Sequence, residues 1–113
     1  MKSKILALSK NEEFRTLLKS KKTSNKYVTI FFGRLGSKNK NNLNISFVTK
    51  KKIGNAVKRN KIKRRLKNIM NDAYEKISIN LSYSYLVIAK STMLNNEFRK
   101  IKEILFQEFE KIK

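Results

Sequence analysis

The sequence predicts a single-domain α+β protein, its helices packed on a small mixed sheet in the order α-β-β(-β)-α-β-α. Three observations predict it. Segments near residues 10–20, 55–76 and 97–112 repeat apolar residues at the three-to-four spacing of a helix face. Segments 27–32, 43–49 and 83–90 are short and rich in β-branched and aromatic residues. The chain has 113 residues, 40% of them hydrophobic, enough for one modest core.

Residues 1–8 carry no pattern and are expected to be flexible. Ser9-Lys10-Asn11-Glu12 has the form of a capping box, with Ser9 as N-cap and Glu12 reaching back. The helix it opens should run to about Ser20, with Phe14, Leu17 and Leu18 on one face. SKKTSNK, over 20–26, reads as a polar basic connector. Tyr27 to Phe32 reads as a strand, and GRLGSKNKNN, over 33–42, as the clearest loop in the chain. From Leu43 to Thr49 the chain alternates Leu43, Ile45 and Phe47 with Asn44, Ser46 and Val48, a strand with one face buried. These two strands are expected to pair as an antiparallel hairpin with a long, mobile tip. Lys50–Lys52 close the strand, Gly54 allows a tight turn, and Asn55 N-caps a helix running to about Lys76. After a connector at Ser78–Ser84, the run Leu86-Val87-Ile88-Ala89 suits a central strand buried on both faces. A loop over 91–96 offers Asn95 or Asn96 as N-cap of the last helix. Its apolar stripe is Phe98, Ile101, Ile104, Leu105, Phe106, Phe109 and Ile112. Four of the eight acids, Glu97, Glu103, Glu108 and Glu110, belong to it, so it reads as the back of the molecule.

Composition closes off several functions. With no cysteine there is no disulfide, thiolate nucleophile or zinc-thiolate site, and with no histidine the commonest general base and metal ligand are missing. No apolar run has the length to cross a bilayer, and the start of the chain has too short an apolar core for a secretory signal. A cytoplasmic location is expected, with no membrane partner. The acids Glu12/Glu13, Asp72/Glu75 and those on the last helix form no catalytic constellation: Glu12 is better used in capping and the others read as surface residues.

Charge points the other way. The chain carries a net +20, and Lys50 to Lys67 holds ten Lys/Arg and no carboxylate. Ile62, Leu66, Ile69, Met70, Ala73 and Ile77 form the apolar stripe of this helix. At about 100° per residue, Asn60, Lys63, Arg64 and Lys67 fall opposite, with Arg59 at the border. Arg59/Lys63, Lys63/Lys67 and Lys61/Arg65 are like-charged pairs four apart, each repelling by a few tenths of a kcal/mol. A merely solvated face would be better served by mixed signs. A polyanion relieves the repulsion, and nucleic acid is the polyanion expected.

Lys51-Lys52-Ile53-Gly54-Asn55-Ala56-Val57, followed by Arg59-Asn60 and Lys63-Arg64, resembles the signature of the bacterial ribonuclease P protein component. Asn11-Glu12-Glu13-Phe14 is similar to that family's early helix, and Tyr85-Leu86-Val87-Ile88-Ala89 to its late strand. The resemblance covers about residues 8 to 110. It implies the ribosomal protein S5 domain 2-like fold with a left-handed strand-helix-strand crossover, a hand opposite to the general rule. It also implies a role as protein subunit of a ribonucleoprotein. There the RNA subunit performs Mg²⁺-dependent endonucleolytic removal of the 5′ leader of precursor tRNA, with Mg²⁺ held mainly by RNA. The partners implied are the RNA subunit and precursor tRNA, with no obligate protein partner.

On this resemblance, Lys51, Lys52, Arg59, Asn60, Lys63, Arg64 and Lys67 would meet RNA phosphates. Lys67 stands where an arginine is common, which keeps a point charge and loses bidentate recognition. Phe14 and Leu18 would line the leader cleft, Leu18 where an aromatic is common, together with Phe31 or Phe32, which strand alternation puts on opposite faces. Two other classes compete. A structural RNA-binding protein of ribosomal type explains the charge but not the turn joined to Arg-Asn. A membrane-surface protein would use the basic helix as an amphipathic element, yet that helix has no Trp or Phe on its apolar face. A DNA-binding helix-turn-helix lacks a short helix abutting the basic one.

Overall fold

The computed structural model describes residues 5–8, 10–35, 42–94 and 97–112. The centre of the fold is β5 (Ser84–Ala89), the apolar run singled out in the sequence. Its alternate residues face opposite ways: Tyr85, Val87 and Ala89 enter the main core, while Leu86 and Ile88 join a second cluster on the other side. Both faces are apolar, so the stable place for this strand is the middle of the sheet.

The other strands are β1 (Ile5–Leu6), β2 (Lys21–Ser24), β3 (Val28–Gly33) and β4 (Leu43–Val48), and the sheet order is β1-β4-β5-β3-β2. β4 runs parallel to β5 and β3 antiparallel to it. The expected hairpin between β3 and β4 therefore does not form, because β5 lies between them. A strand needing cover on both faces gains more from the centre than β3 and β4 gain from pairing with each other. The connection from Gly33 to Leu43 is also far longer than a hairpin requires, and it has to step across about 9.6 Å of sheet. Residues 36–41, the expected tip, lie outside the described residues.

Two further expectations change. The polar connector is strand β2, paired Lys21↔Phe32 through Ser24↔Thr29 as a hairpin with β3. At a sheet edge, three of its four residues are exposed, so it shows no apolar alternation to read. The N-terminal segment also contributes: Ile5↔Leu43 and Leu6↔Asn44 pair in parallel, and Leu8 is buried.

Helix α1 (Asn11–Leu18) begins one residue later than the capping box implied. Glu13, not Glu12, reaches back, its Oε1 accepting from the Lys10 backbone N–H at 3.1 Å. Ser9 lies outside the described residues. After a 3₁₀ turn at Lys51–Ile53, helix α2 (Ala56–Lys76) starts as expected, with Asn55 Oδ1 accepting from Lys58 N–H at 3.0 Å. Gly54 before it takes φ 158°, which side chains avoid. A second 3₁₀ turn, Ser91–Leu94, leads to α3 (Phe98–Lys111), with Glu97 at its N-cap position but no side-chain capping bond from it; Asn95 and Asn96 lie outside the described residues.

α2 buries Ile62, Leu66, Ile69, Met70 and Ala73, and α3 buries Ile101, Leu105 and Phe109, against one face of the sheet. Phe98, placed in the stripe by its spacing, is 36% exposed at the helix start. Glu13, buried beside the start of α1, departs from the surface reading of the acids, and so does Glu108. It is buried, accepting from Thr23 Oγ1 at 2.6 Å and Asn25 Nδ2 at 3.1 Å, and so ties the β2–β3 turn to α3. Among the described residues, α1 is the helix that crosses the opposite face, over β3 and β5.

Candidate nucleic-acid interface

The apolar stripe of α2 is fixed in the core, and this decides where its charges go. Lys58, Asn60, Lys61, Lys63, Arg64 and Lys67 are exposed, while Arg59 and Arg65 are half-buried at the border. Among the described residues, no carboxylate pairs with any of these cations; the ion pair present there joins Asp72 to Lys102 of α3, at 2.5 Å, further along the helix. The Arg59 Nε is buried and has no hydrogen-bond partner among the described residues. Lys51 and Lys52 are exposed on the 3₁₀ turn, which is anchored by the buried Ile53.

The sheet face under α1 forms the second part of the site. Phe14, Phe31, Val48 and Ile88 are half-buried around Leu8, Leu17 and Leu86. The pairs Val48↔Ile88 and Ile88↔Thr29 make one floor across β4, β5 and β3. Two openings meet this floor. One, of about 380 Å³, is lined by Phe14, Ala7, Ser46, Val48 and Lys67, together with Ile5, Ile45 and Phe47 from the closed-face side. The other, of about 530 Å³, is lined by Thr29, Ile88, Lys50, Lys52 and Lys90. An apolar trough with cations at its rims results.

The expected cleft residues divide. Phe14 and Phe31 share the trough cluster. Phe32 does not belong there: it points into the main core, edge-on to Tyr83 at 5.3 Å between ring centres. Strand alternation allows only one of Phe31 and Phe32 on each face, and the register of β3 assigns it. Leu18 is 49% exposed, one helical turn beyond Phe14. Sequence reasoning missed Lys50 and Lys90 at the rim, and Val48 and Ile88 on the floor. The alternation of β4 carried the signal for Val48; nothing local announced Lys90.

Fold and surface define a class: a small basic α+β protein whose unopposed cations border an apolar trough, suited to a flexible polyanion with stackable bases. A ribonuclease P family model matches residues 3–113. A ribonuclease P protein component of Bacillus cereus is 30% identical over 105 residues, covering 92% of this chain and 88% of that one. Among solved structures, the ribonuclease P protein of Thermotoga maritima superposes with a TM-score of 0.80 at 22% identity, covering 96% of this chain and 98% of its own. That of Staphylococcus aureus does so with 0.76 at 23% identity, covering 94% and 93%. At these identities the two structures speak to the fold. The chain belongs to the ribonuclease P protein family. The part it plays, in processing the 5′ ends of tRNA, follows from that membership.

Proposed function

We propose that this chain acts as the protein subunit of ribonuclease P by docking α2 on the catalytic RNA while the trough receives the single-stranded 5′ leader of precursor tRNA. The observation that carries this reading is that Phe14 and Lys67 line one pocket. A base can stack on the ring while the ammonium takes the neighbouring phosphate, a combination that binds without reading sequence. Lys51, Lys52, Arg59, Asn60, Lys63 and Arg64 neutralise phosphates of the RNA subunit, and Asn60 adds a donor and an acceptor that the cations lack. An anion beside Arg59 gives its guanidinium a partner. Phe31 continues the trough floor from Phe14.

Hydrolysis belongs to the RNA and its Mg²⁺. Three of the chain's acids have other work: Glu13 bonds the start of α1, Asp72 pairs with Lys102, and Glu108 holds the β2–β3 turn. The protein contributes charge neutralisation and positioning, which lowers the Mg²⁺ the RNA requires. Reconstitution with a bacterial-type RNA subunit tests this. The chain alone should leave precursor tRNA intact, and with RNA it should cut the Mg²⁺ needed for cleavage. Phe14→Ala should weaken binding of leader-bearing substrate more than of mature tRNA. Cleavage by nuclease-free protein without RNA would overturn the division of labour, and equal losses on both substrates would return Phe14 to a packing role.

A further inference from the structure

The trough does not end at β3. Register places Lys22 beside Phe31 and Ser24 beside Thr29, on the same face of the sheet as the trough floor. The Lys22 ammonium sits 6.0 Å from the centre of the Phe31 ring, and Lys26, exposed in the turn after β2, holds its ammonium 5.7 Å from the ring of Tyr27, whose own place is in the main core. From Val48 on β4 to Lys22 and Ser24 on β2 the floor crosses three strand spacings, about 14 Å. It thus runs from Lys67 at one side of the sheet to a second group of cations at the other.

This far edge is held in place. Asn25 Oδ1 accepts from the Tyr27 and Val28 N–H groups at 2.8 and 3.0 Å. Asn25 Nδ2 and Thr23 Oγ1 donate to the buried Glu108. Lys90 Nζ donates to Ser24 Oγ at 2.9 Å and to the Asn25 carbonyl at 2.5 Å, and Thr92 Oγ1 donates to the Lys26 carbonyl at 2.6 Å. Among the described residues, no carboxylate pairs with Lys21, Lys22 or Lys26: Glu108, the acid bonded to this edge, has both oxygens taken by neutral donors. Lysines on an edge strand also deter edge-to-edge pairing. That role accounts for charge on β2, but it does not require Lys22 to sit over a ring at the trough's end.

We infer that the β2 edge, through Lys22 and Lys26, is a second RNA-binding surface, taking the phosphates of the leader upstream of the nucleotides held in the trough. This rests on the trough being the leader site. Its partner is single-stranded RNA, and its signature is dependence on leader length.

The test uses the reconstituted holoenzyme and three RNAs: mature tRNA and precursors with leaders of about two and about ten nucleotides. The Lys22→Ala/Lys26→Ala double variant should lose about fivefold in affinity for the long leader alone, with its salt slope shallower by about 1.4. Lys22→Arg/Lys26→Arg should restore both. Unchanged affinity for the long leader overturns the inference, and so does an equal loss on all three RNAs. Wild-type binding that favours both leaders equally over mature tRNA also overturns it, while leaving the trough reading intact. Wild-type binding that favours neither leader removes both readings. Lower solubility with unchanged leader dependence assigns the lysines to edge protection and overturns the inference.

Discussion

The two faces of the sheet are built from the same strands and end differently. On one face, α2 and α3 close over Ile30, Ile45, Tyr85 and Val87, each at most 1% exposed. On the other, a helix of eight residues crosses alone, and Phe31, Val48 and Ile88 between them stay half-exposed. Each strand supplies alternate side chains to both faces, so the closed face holds the open one in register. An apolar floor left partly open in water gives up burial that an added helix would provide. That opening makes physical sense for a face that receives a ligand. The closed face also decides where charge goes, because the residues of α2 that enter it determine which ones cannot.

The sharpest way to break this comparison is to exchange its two halves on α2. Leu66→Ala removes a fully buried side chain and should cost about 2–5 kcal/mol, a large part of the roughly 5–15 kcal/mol typical of a domain. Arg64→Ala, two residues away on the opposite, outward side of the same helix, should change stability by less than about 0.5 kcal/mol. It should nevertheless weaken holoenzyme assembly and flatten the salt dependence by about 0.9 in slope. Urea midpoints and assembly measured across salt separate the two effects. If Arg64→Ala unfolded the protein as Leu66→Ala does, the outward face would be structural and the comparison would fail.

A smaller contrast sharpens it within one strand. Phe32→Ala removes a half-buried ring that packs against the closed core and Tyr83, and should cost about 1–3 kcal/mol. Phe31→Ala, on the open face, should cost less, yet reduce the preference for leader-bearing over mature tRNA. Loss of that preference in folded Phe32→Ala, with Phe31→Ala unaffected, would put the trough on the wrong face.

Much of this was legible where the information is local. α2 declared its start through Asn55 and its faces through the spacing of Ile62, Leu66, Ile69 and Met70, since cap and period act within one or two turns. β5 declared its central place through an apolar run with no polar alternate. What could not be read depends on partners far along the chain. β2 looks like a connector because an exposed edge strand needs no apolar residues, and its strand state comes from pairing with β3. The burial of Glu108 comes from Thr23 and Asn25, 85 and 83 residues away. Phe14 and Lys67 meet in one pocket only because α1 crosses the sheet toward β4, and no motif spacing encodes that. The absence of any carboxylate between Glu13 and Asp72 is visible in the sequence. Its consequence, cations at both ends of one trough, required the sheet order.

The smallest expected effect concerns the first acid after that stretch, where α2 passes from its cationic half to a strut. Asp72 accepts from Lys102 Nζ of α3, and that hydrogen bond, helped by attraction from Lys102 and Lys76, holds its carboxyl below the ordinary value near 3.8 despite partial burial. A depressed pKa means that the folded state binds fewer protons than the unfolded one. The pair's stabilisation is therefore fully present above the ordinary carboxylate range and lost as pH falls through the depressed value. The Asp72 side chain is 45% exposed, so solvent screening limits the contribution to about 0.2–1 kcal/mol. Asp72→Asn should lower stability by that amount near neutrality, and the gap to wild type should close as pH falls below the ordinary carboxylate range. High salt should narrow it as well. RNA binding should stay unchanged, because Asp72 lies beyond Lys67, the last of the α2 cations proposed to meet RNA. A stability gap independent of pH would mean that Asp72 matters by packing rather than charge. A fall in RNA affinity would mean that the strut sets the angle at which α2 meets its partner, joining the closed half of the molecule to the open one by a route the hydrophobic core does not supply.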